Sequence, residues 1–221
     1  LFDEKDGDWL LDLLKARGIR KPLLWVYNTL DFQSLIKNIP HGFCVYHATE
    51  NYFVDSVGMD VLPNRLLESI RTSYSQFNLL IGVSEHVVES FQNIGGHSGP
   101  AMVLENGCDA EFFLAENADC GGSIERKTII YQGGINQRID FMLLEEMVGL
   151  LPDWQFRFCG RENGQNIIWE RIKANPNVKY IGELDITDLA NEMRQATVGI
   201  MPFIQDEWIA QSFPLKAFEY V

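Results

Sequence analysis

The run Ser212-Phe213-Pro214-Leu215-Lys216-Ala217-Phe218-Glu219-Tyr220 carries a cation and a carboxylate behind a proline suited to a first helical turn. Leu215, Phe218 and Val221 share one face of a helix, so a helix start is expected near Ser212 to Pro214. Such a start offers unpaired N–H groups and the positive end of its dipole to an anion, and Lys216 adds a formal charge. Glu219 suits acceptance of hydrogen bonds from sugar hydroxyls. A second stretch, Gly133-Gly134-Ile135-Asn136-Gln137-Arg138, has related chemistry. Its two glycines let backbone approach a diphosphate closely, and Arg138 supplies a forked donor. Together the two stretches outline a site for a nucleotide sugar.

The elements that must position these groups alternate. A helical stripe at Trp9, Leu10, Leu13 and Leu14 ends near Gly18 and leads into an apolar strand over 22–27. A short helix over 32–37, a strand over 43–46, a helix through Leu66, Leu67, Ile70 and Tyr74, and a strand over 78–83 follow. Ser84 can cap a helix over 85–92. A further strand precedes Asn106-Gly107-Cys108-Asp109, where a tight turn and an Asp109 cap are expected. After a polar stretch, strands are predicted over 128–132, 154–159, 178–181 and 198–201, with helices over 140–151, 165–174 and 185–195 between them. Residues between the last strand and Ser212 read as a polar loop. Continuous apolar strands alternating with helices mark parallel sheets covered on both faces. Ligands bind at the carboxyl ends of such strands, where Gly133-Gly134, Gly160-Arg161-Glu162-Asn163-Gly164 and Gly182-Glu183-Leu184-Asp185 lie. Arg161 reads as a surface residue, and Asp185 or Thr187 as a helix cap.

Composition removes several classes. Of 221 residues 46% are hydrophobic, enough for a real core, and 18 basic against 31 acidic side chains give a net charge of −13. A chain so acidic lacks the face that nucleic acid or an anionic membrane requires. The cysteines at 44, 108, 120 and 159 show no zinc spacing and read as reduced core thiols of a cytoplasmic protein. Asp6-Gly7-Asp8 has the form of a D-x-D metal motif, but it opens a helix. There is no G-x-G-x-x-G after a strand and no Walker A lysine. No apolar stretch is long enough to be a transmembrane segment. The chain opens on Leu1 and stops at Val221 inside a helical pattern, so we read it as an internal piece of a longer protein.

The strand, polar stretch and P-L-K-A-F-E-Y run, preceded by N-G-C-D and two phenylalanines, resembles the GT-B glycosyltransferases of the retaining "group 1" (family 4-like) class, whose helix reads P-x-K-x-x-E-Y. The resemblance covers the chain from about Leu23 and is densest from Val103 to Tyr220. It implies an α/β fold of two Rossmann-like, doubly wound parallel-sheet domains, both incomplete here. Residues 1–104 would be the carboxyl-side part of an acceptor-binding domain, 105–125 the interdomain hinge, and 126–221 the donor-binding domain. It further implies a hexosyltransferase-type enzyme that moves a sugar from a nucleotide-diphosphate sugar to a glycan or lipid-linked acceptor in polysaccharide or cell-envelope synthesis. No cofactor or obligatory metal, no nucleic acid, and a cytoplasmic place peripheral to the membrane go with that reading. The donor nucleotide would be held by Gly133, Gly134, Arg138, Leu184 (against the base), Ser212, Phe213, Lys216 and Glu219 (on the ribose).

Gln211 stands where many members carry a sugar-facing acid, and Gly134 where they carry an arginine. His47 and Glu50, in Tyr46-His47-Ala48-Thr49-Glu50-Asn51-Tyr52, match an acidic, aromatic-rich segment on the acceptor side. No side-chain nucleophile can be named. A nucleotide-sugar epimerase of the same fold, or a non-catalytic sugar-nucleotide-binding protein, fits the same residues. The piece in isolation is expected to be inactive.

Overall fold

The computed structural model describes residues 4–27, 38–54, 71, 76–114, 127–212 and 214–220. The helix expected over 32–37, most of that through Leu66 to Tyr74, most of the polar linker, Phe213 and Val221 lie outside them. The chain forms two compact units, Leu1–Asn106 with Asp206–Phe213, and Gly107–Gln205 with Pro214–Val221.

In the first unit, helix α1 (Glu4–Ala16) precedes strands β1 (Leu23–Tyr27), β2 (Phe43–Ala48) and β3 (Leu79–Gly82). Helix α2 (Glu85–Asn93) and strand β4 (Ala101–Val103) follow. The strands pair in parallel in the order β1-β2-β3-β4. Tyr46 of β2 is fully buried and stacks on Phe77, with Phe91 of α2 beside it. Gly82 lets α2 approach, since a side chain there would meet the Val88 Cγ2 methyl at 2.7 Å. Ser84 caps α2 as expected, its hydroxyl accepting from the Val87 N–H at 3.2 Å.

The second unit starts with helix α3 (Ala110–Leu114), whose start Asp109 caps through the Phe112 N–H. Asn106-Gly107, expected as a tight turn, lies in a stretch without a turn or bend, and Gly107 has no positive φ. The Leu104 N–H still pairs with the Gly82 carbonyl, so the chain leaves β4 extended and bends only at the Asp109 cap. Then come β5 (Thr128–Gln132), α4 (Phe141–Leu150), β6 (Gln155–Cys159), α5 (Ile167–Lys173), β7 (Val178–Gly182), α6 (Ile186–Gln195) and β8 (Val198–Gly199). All pairings are parallel, in the order β7-β6-β5-β8. β5 is buried at every position, which explains the apolar run Ile129-Ile130-Tyr131 at its centre. Caps set each helix start: Asp140 for α4, Asn166 for α5 and Asp185 for α6.

Two short helices close the described chain, α7 (Glu207–Gln211) and α8 (Lys216–Glu219). The first stands where the sequence reads as a polar loop. Asp206 accepts from the Ile209 N–H at 2.7 Å, and this cap is enough for one turn. The helix expected to begin at Ser212 to Pro214 begins instead at Lys216, without a side-chain cap. Ser212 ends the helix before it, donating its hydroxyl to the Ile209 carbonyl at 3.0 Å. Cys44 and Cys159 are buried, and burial pushes both thiols up to about 11, so neither supplies a thiolate at neutral pH.

Candidate functional site

In the second unit, chain direction along the sheet reverses at β5: β6 and β7 lie on one side and β8 on the other. The crevice outside the carboxyl ends of β5 and β8 is therefore a topological switch point, the place where open parallel sheets bind ligands. A cavity of about 330 Å³ opens beside this point, at the carboxyl ends of β5, β6 and β7, lined by Gln132, Gly133, Gly134, Gly160, Asn163 and Leu184 among others. Three of the predicted residues, Gly133, Gly134 and Leu184, thus share one wall.

The glycines have distinct duties. Gly133 has φ +118°, its N–H is spent on the Cys159 carbonyl, and a side chain there would strike the Lys216 Cε at 2.4 Å. Gly134 keeps an N–H without a partner among the described residues. A side chain at Gly134 would come to 3.2 Å from the Asn163 Nδ2 and 3.3 Å from the Asn136 Nδ2, so two side-chain amides lie where it would project. Gly160 has φ +145°, and a Cβ there would lie 2.0 Å from the Gly133 carbonyl oxygen. The missing side chain at Gly160 is what allows the ends of β5 and β6 to lie so close.

Lys216 reaches back over Gly133, its Nζ 5.2 Å from the Tyr131 ring centre and 4.9 Å from that of Phe203. No hydrogen bond or carboxylate partner within ion-pair distance holds this ammonium among the described residues. Burial lowers its pKa below the ordinary lysine value, Glu219 opposes that shift, and Arg138 adds to it. Lys216 and Arg138 therefore feel one another's charge. The Arg138 main chain is fixed by its N–H to the Asn136 Oδ1 and its carbonyl to the Ile204 N–H.

Glu219 lines a different, smaller hollow of about 230 Å³ with Arg194, Gly199 and Tyr220. It is tied to the first cavity by Gln132, whose Nε2–H donates to the Glu219 Oε2. The Oε1 has no donor among the described residues. Tyr220 completes this corner: its hydroxyl accepts the Gln132 N–H at 2.9 Å and lies 3.4 Å from the Ile200 carbonyl, and its ring covers Gly199.

The remaining predicted residues belong to the first unit. Gln211 is engaged there: its Oε1 accepts from the Asn51 Nδ2 at 2.6 Å, its carbonyl from the Ser84 hydroxyl at 3.2 Å, and its Nε2–H donates to Glu207. Ser212, Gln211, Ser84 and Asn106 line a hollow of about 850 Å³ outside β3 and β4. His47, on β2, sits edge-on to Trp25 and Tyr27, and burial lowers its pKa. Glu50 follows that strand; burial raises the Tyr52 pKa, and the Glu50 charge adds to the shift.

Sequence reasoning missed Gln132, Asn136, Asn163 and Tyr220. A polar residue closing an otherwise apolar strand, as Gln132 does, is the one local signal it left unused. Among the described residues no helix is long and apolar enough to cross a membrane, and no cluster of ligating side chains that could hold a metal is found.

No family model matches the chain. Over 124 residues, 53% of its length, it is 32% identical to a Bacillus subtilis (strain 168) protein described as "Putative teichuronic acid biosynthesis glycosyltransferase TuaH". It spans 31% of that relative's length. Sucrose-phosphate synthase from Thermosynechococcus elongatus superposes with TM-score 0.73 at 15% identity, over 98% of this chain and 58% of that one. Anabaena HepE in complex with UDP and glucose gives TM-score 0.65 at 14% identity, over 88% and 55% of the two chains. The chain thus carries the GT-B fold of paired Rossmann-like units, and over half its length it is similar in sequence to a bacterial glycosyltransferase.

Proposed function

We propose that this chain is part of a glycosyltransferase that moves a sugar from a nucleotide-diphosphate sugar to a hydroxyl of a glycan or lipid-linked acceptor, working at the cytoplasmic side of a membrane. The observation that carries the reading is the group of donors at the β5 switch point: the Gly134 N–H and the Lys216 ammonium, neither with a hydrogen-bond or ion-pair partner among the described residues, beside Arg138. Preorganised donors of this kind stabilise the charge that develops on a departing diphosphate. In this reading Leu184 packs on the base and the Glu219 Oε1 accepts from the ribose. The cations do the work often given to a divalent metal, so a chelator leaves transfer unchanged. The likeness to a protein named for teichuronic acid biosynthesis supports an envelope glycan as acceptor.

Incubation of the full-length protein with labelled nucleotide sugars tests this. Label moved to a glycan or lipid fraction supports transfer, whereas a changed sugar with no transfer, or binding without turnover, overturns it. Unchanged donor affinity in Glu219→Ala would refute the site.

A further inference from the structure

We propose that Gln132 is the positioning residue for Glu219, fixing one carboxylate oxygen so that the other faces the hydroxyls of the bound nucleotide's ribose. The inference rests on the reading of Glu219 as the hydroxyl acceptor. It starts from the sheet. Ile130 and Gln132, two apart on β5, present their main-chain groups to the same neighbour. The Ile130 carbonyl accepts from the Ile200 N–H at 2.9 Å, but β8 ends at Gly199 and the chain then veers through Pro202. No β8 residue is left to take the Gln132 N–H. The Tyr220 hydroxyl supplies the missing rung, bridging that N–H to the Ile200 carbonyl.

The same residue's side chain then turns to the adjacent Glu219 and donates to its Oε2. Gln132 therefore grips the last residue of α8 with its amide and the residue that follows with its main chain. It is 7% exposed, so the amide is held away from competing water. A carboxylate anchored through one oxygen has lost its rotation, and Oε1 is the oxygen without a donor among the described residues. An acceptor fixed in this way before the ligand arrives selects for hydroxyls at the ribose and adds nothing for a sugar lacking them.

The test uses the full-length protein and calorimetric titration with UDP, GDP and ADP and with the 2′,3′-dideoxy form of whichever binds. Wild type is expected to favour the ribonucleotide by roughly tenfold or more, as for a hydrogen bond to a charged group. In Gln132→Leu the preference is expected to fall to about threefold or less, with affinity for the dideoxy nucleotide unchanged. A merely structural loss would weaken both ligands together and would overturn the proposal, as would an unaltered preference. Gln132→Glu provides a second reading: two facing carboxylates repel near pH 8, and one shared proton near pH 5 restores the donor and the preference. A preference equal to wild type at both pH values would also overturn it. Failure of wild type to bind any of the nucleotides would remove the proposed function itself, and the role of Gln132 with it.

Discussion

The two sheets are both four-stranded and parallel, and they differ in the order of their strands. The first runs β1-β2-β3-β4 in sequence order, while the second reverses at β5. Each has a helix close against a glycine and capped strand-to-helix turns. Among the described strands, the reversed sheet leaves two adjacent strand ends whose following segments part to opposite sides, and there the Gly134 N–H and Lys216 ammonium are found, neither with a hydrogen-bond or ion-pair partner among the described residues. In the first unit the comparable polar groups are consumed internally: Ser84 caps α2 and also donates to Gln211, and Asn51 bonds Ser90 and Gln211. Similar chemistry in sequence thus becomes scaffold in one unit and an open donor set in the other.

The second sheet is most vulnerable at Gly160. Gly160→Ala puts a Cβ into the Gly133 carbonyl and an L side chain at φ +145°, so a loss of about 3 kcal/mol or more is expected by urea denaturation. A loss below about 1 kcal/mol would mean that the two strand ends need not touch. Lys216→Met comes next. Affinity for a nucleoside diphosphate should fall roughly ten- to hundredfold, the range for hydrogen bonds to charged groups.

The same lysine gives a pH test. Its folded pKa lies below the unfolded value, so the unfolded chain binds more protons between the two, and stability rises with pH through that window. Lys216→Met should flatten this rise in the apo protein, while wild-type nucleotide affinity declines at a lower pH than an ordinary lysine would dictate. Tyr220→Phe removes one bridging hydroxyl and should cost about 1–2 kcal/mol in thermal or chemical unfolding. At the smallest end, Ser84→Ala should cost about 1 kcal/mol from the lost cap and leave nucleotide affinity unchanged. An affinity change there would erase the distinction between the units.

Much of this architecture can be read from the chain. Continuous apolar runs such as Thr128–Gln132 declare buried parallel strands, and Asp109, Ser84 and Asp185 declare helix starts, because both signals are local. Gly133 and Gly134 mark a close approach for the same reason. What stays hidden is non-local. The partner of Gln132 lies 87 positions away, and nothing near Thr128-Ile129-Ile130-Tyr131 indicates it. The α7 cap was legible in Asp206, but its polar surroundings look like loop, since a single turn carries too few apolar residues for a periodic pattern. The late start of α8 follows from Ser212 closing α7, a use of its hydroxyl that sequence spacing does not distinguish from opening the next helix.

The hydroxyl that stands in for a strand has a consequence for hydrogen exchange. Amides in the middle of β5 lie between paired strands on both sides and exchange only when the sheet opens. The Gln132 amide is guarded by a side chain 88 residues away, so it exchanges whenever the last helix lifts, with the sheet still intact. Deuterium uptake at this one position is a built-in gauge of helix docking. A ligand gripping Glu219 and Lys216 should slow it, and Tyr220→Phe should free it to exchange at the rate of a loop.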